Sequence, residues 1–377
     1  MKVYFDNAAG TALDPKVFEA MCPYMTEMFG NPSSIHGYGR EAKSGIEKSR
    51  KLIADLLNTS PSEIFFTSGG TEADNTAIRC AVQDLGVTHC ITSKVEHHAV
   101  LHSMEFLENA GKIKLSHVDL DEKGHIDYNH LESLLKNNKE KTLVSLMHAN
   151  NEIGNITDLE KVGDLCEQYN AIFHSDTVQA MSRYKHDLQQ LKTHFIVGAA
   201  HKFHGPKGVG FLYIKNSAKI KPFIYGGAQE RNMRGGTENV YGIIGLAKAM
   251  EIAYENMDNH HAHIQSLKDR MITGLQKNIQ GIQFNGDSTN SQNSLYTILS
   301  VSLPESKIND MLLFNLDIAK ISASGGSACS SGSELGSHVL TALNHSPKRA
   351  AVRFSFSKNN TAAEVDYVIE KLVDLYN

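Results

Sequence analysis

The chain has no long stretch of like charge, no low-complexity tract and no apolar run of the length needed to span a bilayer. These absences argue against disorder and against a membrane as partner. Cysteine is scarce and odd in number: Cys22, Cys80, Cys90, Cys166 and Cys329 are widely spaced and include no CxxC pair. That spacing fits neither a disulfide framework nor a zinc site, so reduced thiols are expected. The 19 histidines show no HExxH or Cys/His ligand spacing, and no metal is expected. The basic residues are scattered and the formal net charge is -5, which argues against nucleic acid. Small molecules and proteins remain as partners. The opening Met1-Lys-Val-Tyr-Phe-Asp6 turns polar too soon for a signal peptide, so a cytoplasmic location is expected.

What is present is an ordinary globular composition, 41% hydrophobic and 21% charged, in 377 residues. That length exceeds what one core usually serves, and two domains are expected. Strand-like runs alternate with helical patterns at residues 64–67, 89–92, 113–116, 143–147, 171–174, 195–197 and 209–214. Such alternation predicts an α/β fold with a mostly parallel sheet flanked by helices, whose ligands bind beyond the carboxyl ends of the strands. Asp14-Pro15 predicts a helix start, and residues 40–57 carry a helical apolar pattern. One long helix is predicted over residues 239–279, bridging to a smaller α+β unit with strands at 294–303 and 352–356 and helices at 307–316, 337–343 and 362–376. The expected division is a large domain over residues 15–258 and a small one formed by residues 1–14 and 259–377.

The chemistry-bearing residues cluster at predicted strand ends. Lys202 follows an apolar strand and precedes a Gly/Pro turn, the usual presentation of a Schiff-base lysine, whose amine is activated when apolar walls disfavour its ammonium form. A solvated strand terminus is the alternative. Thr67-Ser-Gly-Gly-Thr-Glu-Ala-Asp-Asn75 reads as a strand-to-helix turn in which Gly70, Thr71 and the helix N–H groups suit a phosphate, or in which Thr71 simply caps the helix. Asp176 ends a strand and suits a pyridine nitrogen or a helix cap, with Gln179 one helical turn later near a ring oxygen. His97 suits ring stacking and proton movement near neutral pH, and Asn151 suits orienting a cofactor or substrate. Arg353 reads as a clamp on a substrate carboxylate or as half of an internal ion pair. Cys329 alone among the cysteines lies in a small, polar, Gly/Ser-rich segment, the setting of a reactive thiolate, and its loop over residues 324–333 is expected to be poorly ordered.

Taken in order, Tyr4-Phe-Asp-Asn-Ala-Ala9, Phe29-Gly-Asn-Pro-Ser-Ser34, Thr67-Ser-Gly-Gly-Thr-Glu72, Glu96-His97, His148-Ala-Asn-Asn-Glu-Ile-Gly154, Asp176, His201-Lys202, Gly205-Pro-Lys-Gly208, Met233-Arg-Gly-Gly-Thr237 and Gly326-Ser-Ala-Cys329 resemble the cysteine desulfurases. These are pyridoxal 5'-phosphate (PLP) enzymes of fold type I in the class V aminotransferase group, and the segment around Cys329 is similar to the members with a long catalytic loop. The resemblance implies Lys202 as the Schiff-base lysine, Asp176 on the pyridinium nitrogen, Gln179 on the ring hydroxyl and His97 above the ring. It implies that Gly70, Thr71 and His201 hold the phosphate, with Thr237 reaching it from the second subunit of a homodimer. Asn151 and Arg353 would hold the carboxylate of L-cysteine, and Cys329 would take its sulfur as a persulfide, releasing alanine. The implied recipient is a sulfur-acceptor protein, an iron–sulfur scaffold or a tRNA-thiolation relay. The sequence ends at Asn377 without the extension some relatives use to dock a scaffold, which leaves the acceptor open.

Relatives commonly carry a phosphate-binding serine where this chain has Ala199. One lost hydroxyl contact is expected to cost about 1 kcal/mol. Selenocysteine lyase, another class V lyase or aminotransferase, and an inactive PLP-binding sulfur-relay scaffold are the alternatives.

Overall fold

The computed structural model describes residues 1–325 and 336–376. Strand β1 (Val3–Tyr4) belongs to a smaller unit described below. The next seven, β2 (Ile64–Thr67), β3 (His89–Thr92), β4 (Lys114–His117), β5 (Thr142–Ser145), β6 (Ile172–Asp176), β7 (Phe195–Ala199) and β8 (Gly210–Ile214), form one sheet in the order β2-β8-β7-β6-β5-β3-β4. All pair in parallel except β8, which runs antiparallel to both β2 and β7. Period-two alternation buries both faces. Phe195, Val197 and Leu212 meet Ala73, Ala77 and Ala81 of helix Gly70–Asp84 on one side. On the other, Ile196 and Phe211 meet Ile46, Ile53 and Met250 from helices Gly37–Leu56 and Val240–Glu255.

The smaller unit contains β9 (Gln283–Phe284), β10 (Ile298–Leu303), β11 (Ile321–Ser322) and β12 (Ala350–Ser355). Strands β12, β10 and β9 make an antiparallel sheet, while β1 pairs in parallel with β11. A separate apolar cluster joins Val3 and Phe5 to Leu267, Met271, Val301, Phe354 and Leu372. The expected fold class is therefore present: a mostly parallel sheet flanked by helices, plus an α+β unit.

Two local readings need correction. The single helix expected over residues 239–279 is two, Val240–Glu255 and Met257–Asn278. They are separated at Asn256, whose side-chain amide folds back onto the Ile252 carbonyl at 2.8 Å. The strand expected from residue 294 begins at Ile298, because the preceding residues are held elsewhere. The buried Lys268 Nζ bonds Ser294 Oγ and the Leu295 carbonyl, each at 3.0 Å, and Leu295 N–H donates to the Gly154 carbonyl at 2.7 Å. Among the described residues, no helix is long and apolar enough to cross a membrane and no cluster of His, Cys, Asp or Glu could hold a metal ion.

Glu230, Arg231 and Asn232 have φ of 45°, 57° and 66°, three successive left-handed residues without a glycine. Each costs of the order of 1–3 kcal/mol and persists only where its surroundings impose it. The Arg50 guanidinium supplies that, donating to both Glu230 carboxylate oxygens at 2.8 Å, while one of them also accepts from Phe66 N–H at 2.8 Å. Both side chains are buried. Glu230→Ala strands the Arg50 charge and should lower stability by about 3–5 kcal/mol. Glu47→Ala, which removes the half-exposed second partner of Arg50, should cost about 0–1 kcal/mol. Urea unfolding of the two variants checks this, and equal small losses would show that the buried pair does not hold the turn.

Candidate active site

The loops that leave β2, β3, β5, β6 and β7 all emerge at one edge of the sheet, and a cavity of about 240 Å³ opens there. Nine residues singled out from the sequence line it: Gly70, Thr71, His97, Asn151, Asp176, Gln179, His201, Lys202 and Arg353. Thr237 does not. It is exposed and lines a different hollow, beside Ser68, Arg234 and Asn239. Cys329 lies outside the described residues.

Lys202 closes a short helical turn, Ala200–Lys202, directly after β7, and is not a solvated strand terminus. Its Nζ donates to the carbonyls of Ala8 at 2.5 Å and Ala9 at 3.1 Å. Asp176 ends β6 and is buried. Its Oδ1 accepts from Val178 N–H at 2.9 Å within a turn, so the helix that it or Gln179 was expected to join is absent. Gln179 nevertheless reaches the cavity. Its amide donates to the Ala8 carbonyl at 3.0 Å, leaving Oε1 buried and, among the described residues, without a partner.

Helix Gly70–Asp84 begins after Gly69, at φ 155°, with no side chain capping its end. Thr71 is thus not the cap, and the first N–H groups face the cavity edge. A Cβ on Gly70 would come within 2.9 Å of Val178 Cγ2, so only glycine leaves this approach open. His97 has two positions to fill. Its Nδ1 accepts from Ala99 N–H at 3.2 Å as the cap of helix His98–Asn109, which leaves the proton of the neutral ring on Nε2. Burial lowers its pKa against the opposing pull of Asp176. The same burial, with Lys202 adding to it, lowers His201 to about 4.

Arg353 forms the internal ion pair, with Asp6 Oδ1 at 2.8 Å, and donates to the Asn151 carbonyl at 2.9 Å. It also lines the cavity, and among the described residues its buried Nε has no hydrogen-bond partner. Asn150, the residue before Asn151, is structural: it bonds the Val95 carbonyl and the N–H groups of Glu152 and Ile153. Both described flanks of the Cys329 segment are tied to this wall. Ser324 Oγ donates to Asp6 Oδ1 at 2.8 Å, and Ser337 Oγ bonds the Glu152 carboxylate. The remaining cysteines behave as expected, with Cys80, Cys90 and Cys166 buried and their thiol pKa values raised by burial.

Sequence reasoning missed Asp74, which lines the cavity from the second turn of its helix, and the carbonyls of Ala8 and Ala9. Nothing in a sequence marks a main-chain acceptor, and one Asp on a helix reads as a surface residue.

The sequence pattern described as "Aminotransferase class-V" matches residues 3–368. The cysteine desulfurase IscS of Clostridium botulinum strain Hall is 40% identical over 380 residues, covering 98% of this chain and 93% of that protein. A solved "NifS-like protein" superposes with a TM-score of 0.91 at 38% identity, covering 100% of this chain and 99% of that one. The structure described as "SspA in complex with cysteine" gives a TM-score of 0.82 at 30% identity, over 96% of this chain and 100% of the other. The chain belongs to the class-V aminotransferases and, among them, to the cysteine desulfurase family.

Glu96 sits behind the cavity, fully buried, and burial raises its pKa to about 8 against the bonds it accepts from Met147 N–H and Ser93 O–H. A folded-state value above the unfolded one means that the native protein binds the extra proton across that window, so ionisation of Glu96 costs stability as pH rises. Glu96→Gln should match the wild type below about pH 4 and become the more stable of the two as pH rises toward about 8, by up to about 1.4 kcal/mol per pH unit within the window. Denaturant midpoints of both proteins across that range test it. A difference that does not change with pH would mean that Glu96 is ionised throughout.

Proposed function

We propose that this enzyme removes sulfur from L-cysteine, releasing L-alanine and leaving the sulfur as a persulfide on Cys329 for transfer to an acceptor protein. The observation that carries the reading is the convergence of nine residues on one cavity, with both described flanks of the Cys329 segment bonded to neighbours of its lining: Asp6, the partner of Arg353, and Glu152, next to Asn151 in sequence.

The residues present fit PLP. Gln179 Oε1, buried and unpartnered, suits the ring hydroxyl. Buried Asp176 suits a protonated ring nitrogen, since a buried carboxylate needs a cation. The uncapped helix end at Gly70 and Thr71, with His201, suits the phosphate, and Lys202 would hold the aldehyde carbon through its amine. When bound, the cofactor supplies an electron sink for the charge left at the substrate Cα.

The chain's own groups do the rest. Arg353 and Asn151 hold the substrate carboxylate, fixing Cα beside Lys202. The Lys202 amine takes the Cα proton and later returns a proton to Cα, while the proton given up by the Cys329 thiol ends on the carbon that becomes the alanine methyl group. His97, neutral with its proton on Nε2, donates a hydrogen bond from that atom to the reacting sulfur and so favours its thiolate form. The Cys329 thiolate attacks the substrate sulfur, so that the Cβ–S bond breaks as an S–S bond forms. The reaction is redox-neutral overall: cysteine and a thiol become alanine and a persulfide.

A homodimer completes the phosphate site through Thr237 of the partner, a reading supported by the exposure of Thr237 and of Phe29, Ile35 and Tyr225. The large domain over residues 15–258 and the small one over residues 1–14 and 259–377 are proposed on the same footing, as is a cytoplasmic location, supported by the four free thiols among the described residues. An iron–sulfur scaffold or a tRNA-thiolation relay is the acceptor class.

Two experiments test the reading. Lys202→Ala should keep the fold but lose the borohydride-reducible bond to PLP, and a variant that forms the same reducible adduct contradicts it. Cys329→Ser should bind L-cysteine and change the cofactor spectrum without producing alanine at a useful rate. Mass spectrometry of the wild type should find added sulfur on Cys329 and none on Cys22, Cys80, Cys90 or Cys166. Full alanine production by Cys329→Ser would point instead to an ordinary PLP lyase.

A further inference from the structure

Helix Gly70–Asp84 crosses the face of β6 that carries both His174 and Asp176, since alternate residues of a strand point the same way. Asp74 projects from that helix toward the same place. It lines the cavity, and both Asp74 and His174 are buried. Asp74 Oδ1 and His174 Nε2 stand 3.3 Å apart, and among the described residues neither atom has a hydrogen-bond partner elsewhere. The other ring nitrogen, His174 Nδ1, lies 2.8 Å from Ser145 Oγ.

Three carboxyl groups, Asp74, Asp176 and Glu96, are thus buried close enough to repel one another. Facing them are the Lys202 amine, which acts on Asp176, and the His97 ring. Desolvating three anions against so little positive charge is unfavourable, so protons must be retained in the cluster. Burial raises Asp74 well above the ordinary carboxylate range, with Asp176 and then Glu96 adding to it, while burial lowers His174 to about 3.

We propose that Asp74 and His174 form a neutral carboxylic acid–imidazole pair, Asp74 donating from Oδ1 to His174 Nε2, which satisfies both unpartnered atoms and leaves Asp176 as the carboxylate directed at the cofactor's ring nitrogen. His174 Nδ1–H then donates to Ser145 Oγ, so every polar atom in this line has a partner. Asp74 and His174 are positioning residues on this view: they touch no reacting atom and set the charge that Asp176 presents. The proposal rests on reading Asp176 as the partner of a ring nitrogen.

Neutron diffraction from deuterated crystals of the protein tests the pair directly, with or without cofactor. A deuteron on Asp74 Oδ1 facing a bare His174 Nε2, with Nδ1 deuterated, is expected. A deuteron on Nε2 facing a bare carboxylate overturns the proposal. In solution, Asp74→Asn keeps a neutral N–H donor toward His174, so its dissociation constant for PLP and the absorbance maximum of the bound cofactor should stay within about twofold and unshifted, respectively. A tenfold or greater loss of affinity would mean that a negative charge at Asp74 is in use, against the proposal. Failure of the underlying reading shows up separately, as Asp176→Asn binding PLP as tightly as the wild type.

Discussion

The two sheets are joined along one short stretch of main chain centred on Ala8. The Ala8 carbonyl accepts from both Lys202 Nζ and the Gln179 amide, which come from the large sheet. The Ala8 N–H donates to Ser355 Oγ at the end of β12. Its neighbours repeat the pattern: Asn7 bonds the Ser355 carbonyl, Asp6 pairs with Arg353, and Thr11 bonds the His201 carbonyl. Residues 6–11 are therefore the seam along which Lys202, on one body, and Arg353, on the other, come to line one cavity. Neither side chain could be held there by its own sheet alone. The same hydrogen bonds that hold the seam keep the amine and the guanidinium at the cavity wall.

Charge is the second constraint. A buried anion persists only beside a cation or a proton, and the polar groups around the cavity follow that rule. Arg353 faces Asp6, and Lys202 sits on two carbonyl oxygens with Asp176 in electrostatic reach. Asp176 itself, buried and with a pKa raised chiefly by desolvation, has room for a cationic partner from the cavity side. A protonated pyridine would supply it, and the stabilisation would be mutual: the cofactor would draw Asp176 toward its ionised form as Asp176 held the ring nitrogen protonated. Binding and chemical activation of the ring then depend on the same interaction.

Much of this was legible in the sequence, for identifiable reasons. Strands β2, β3 and β6 to β8 were visible as short apolar runs because a parallel sheet buried on both faces has no polar alternation to obscure it. Eight of the nine cavity residues were legible because they end or follow strands, where apolar runs give way to Gly, His, Asp and Asn; the ninth, Arg353, was legible as a lone cation within the strand β12. Helical periodicity could not reveal the break at Asn256, since both flanking segments keep their apolar positions. The paired strands of two residues, β1 and β11, are too short to carry any period. The Asp74–His174 contact was out of reach because it joins residues 100 positions apart on different elements, and each residue alone reads as unremarkable. Ala8 contributes through its carbonyl, which has no sequence signature at all.

Ala199 shows how one substitution can act on both the empty and the loaded protein. It is buried, it lines the cavity, and a Cβ on Gly70 would lie 3.9 Å from its own Cβ. A serine here would add one hydroxyl to a bound phosphate, worth about 1 kcal/mol or roughly fivefold in affinity. Without the ligand, that hydroxyl would lie beside Val178 and Gly70 on the cavity wall, and wherever water did not reach it an unpartnered hydroxyl would be unfavourable by a similar amount. Alanine removes both effects. The contact it gives up is a minor part of a phosphate site that would still have the uncapped helix end, Thr71 and His201, together with the covalent hold of Lys202. A hydrogen in place of that hydroxyl would therefore lower PLP affinity modestly while making the cofactor-free fold less dependent on the cofactor to satisfy its own interior.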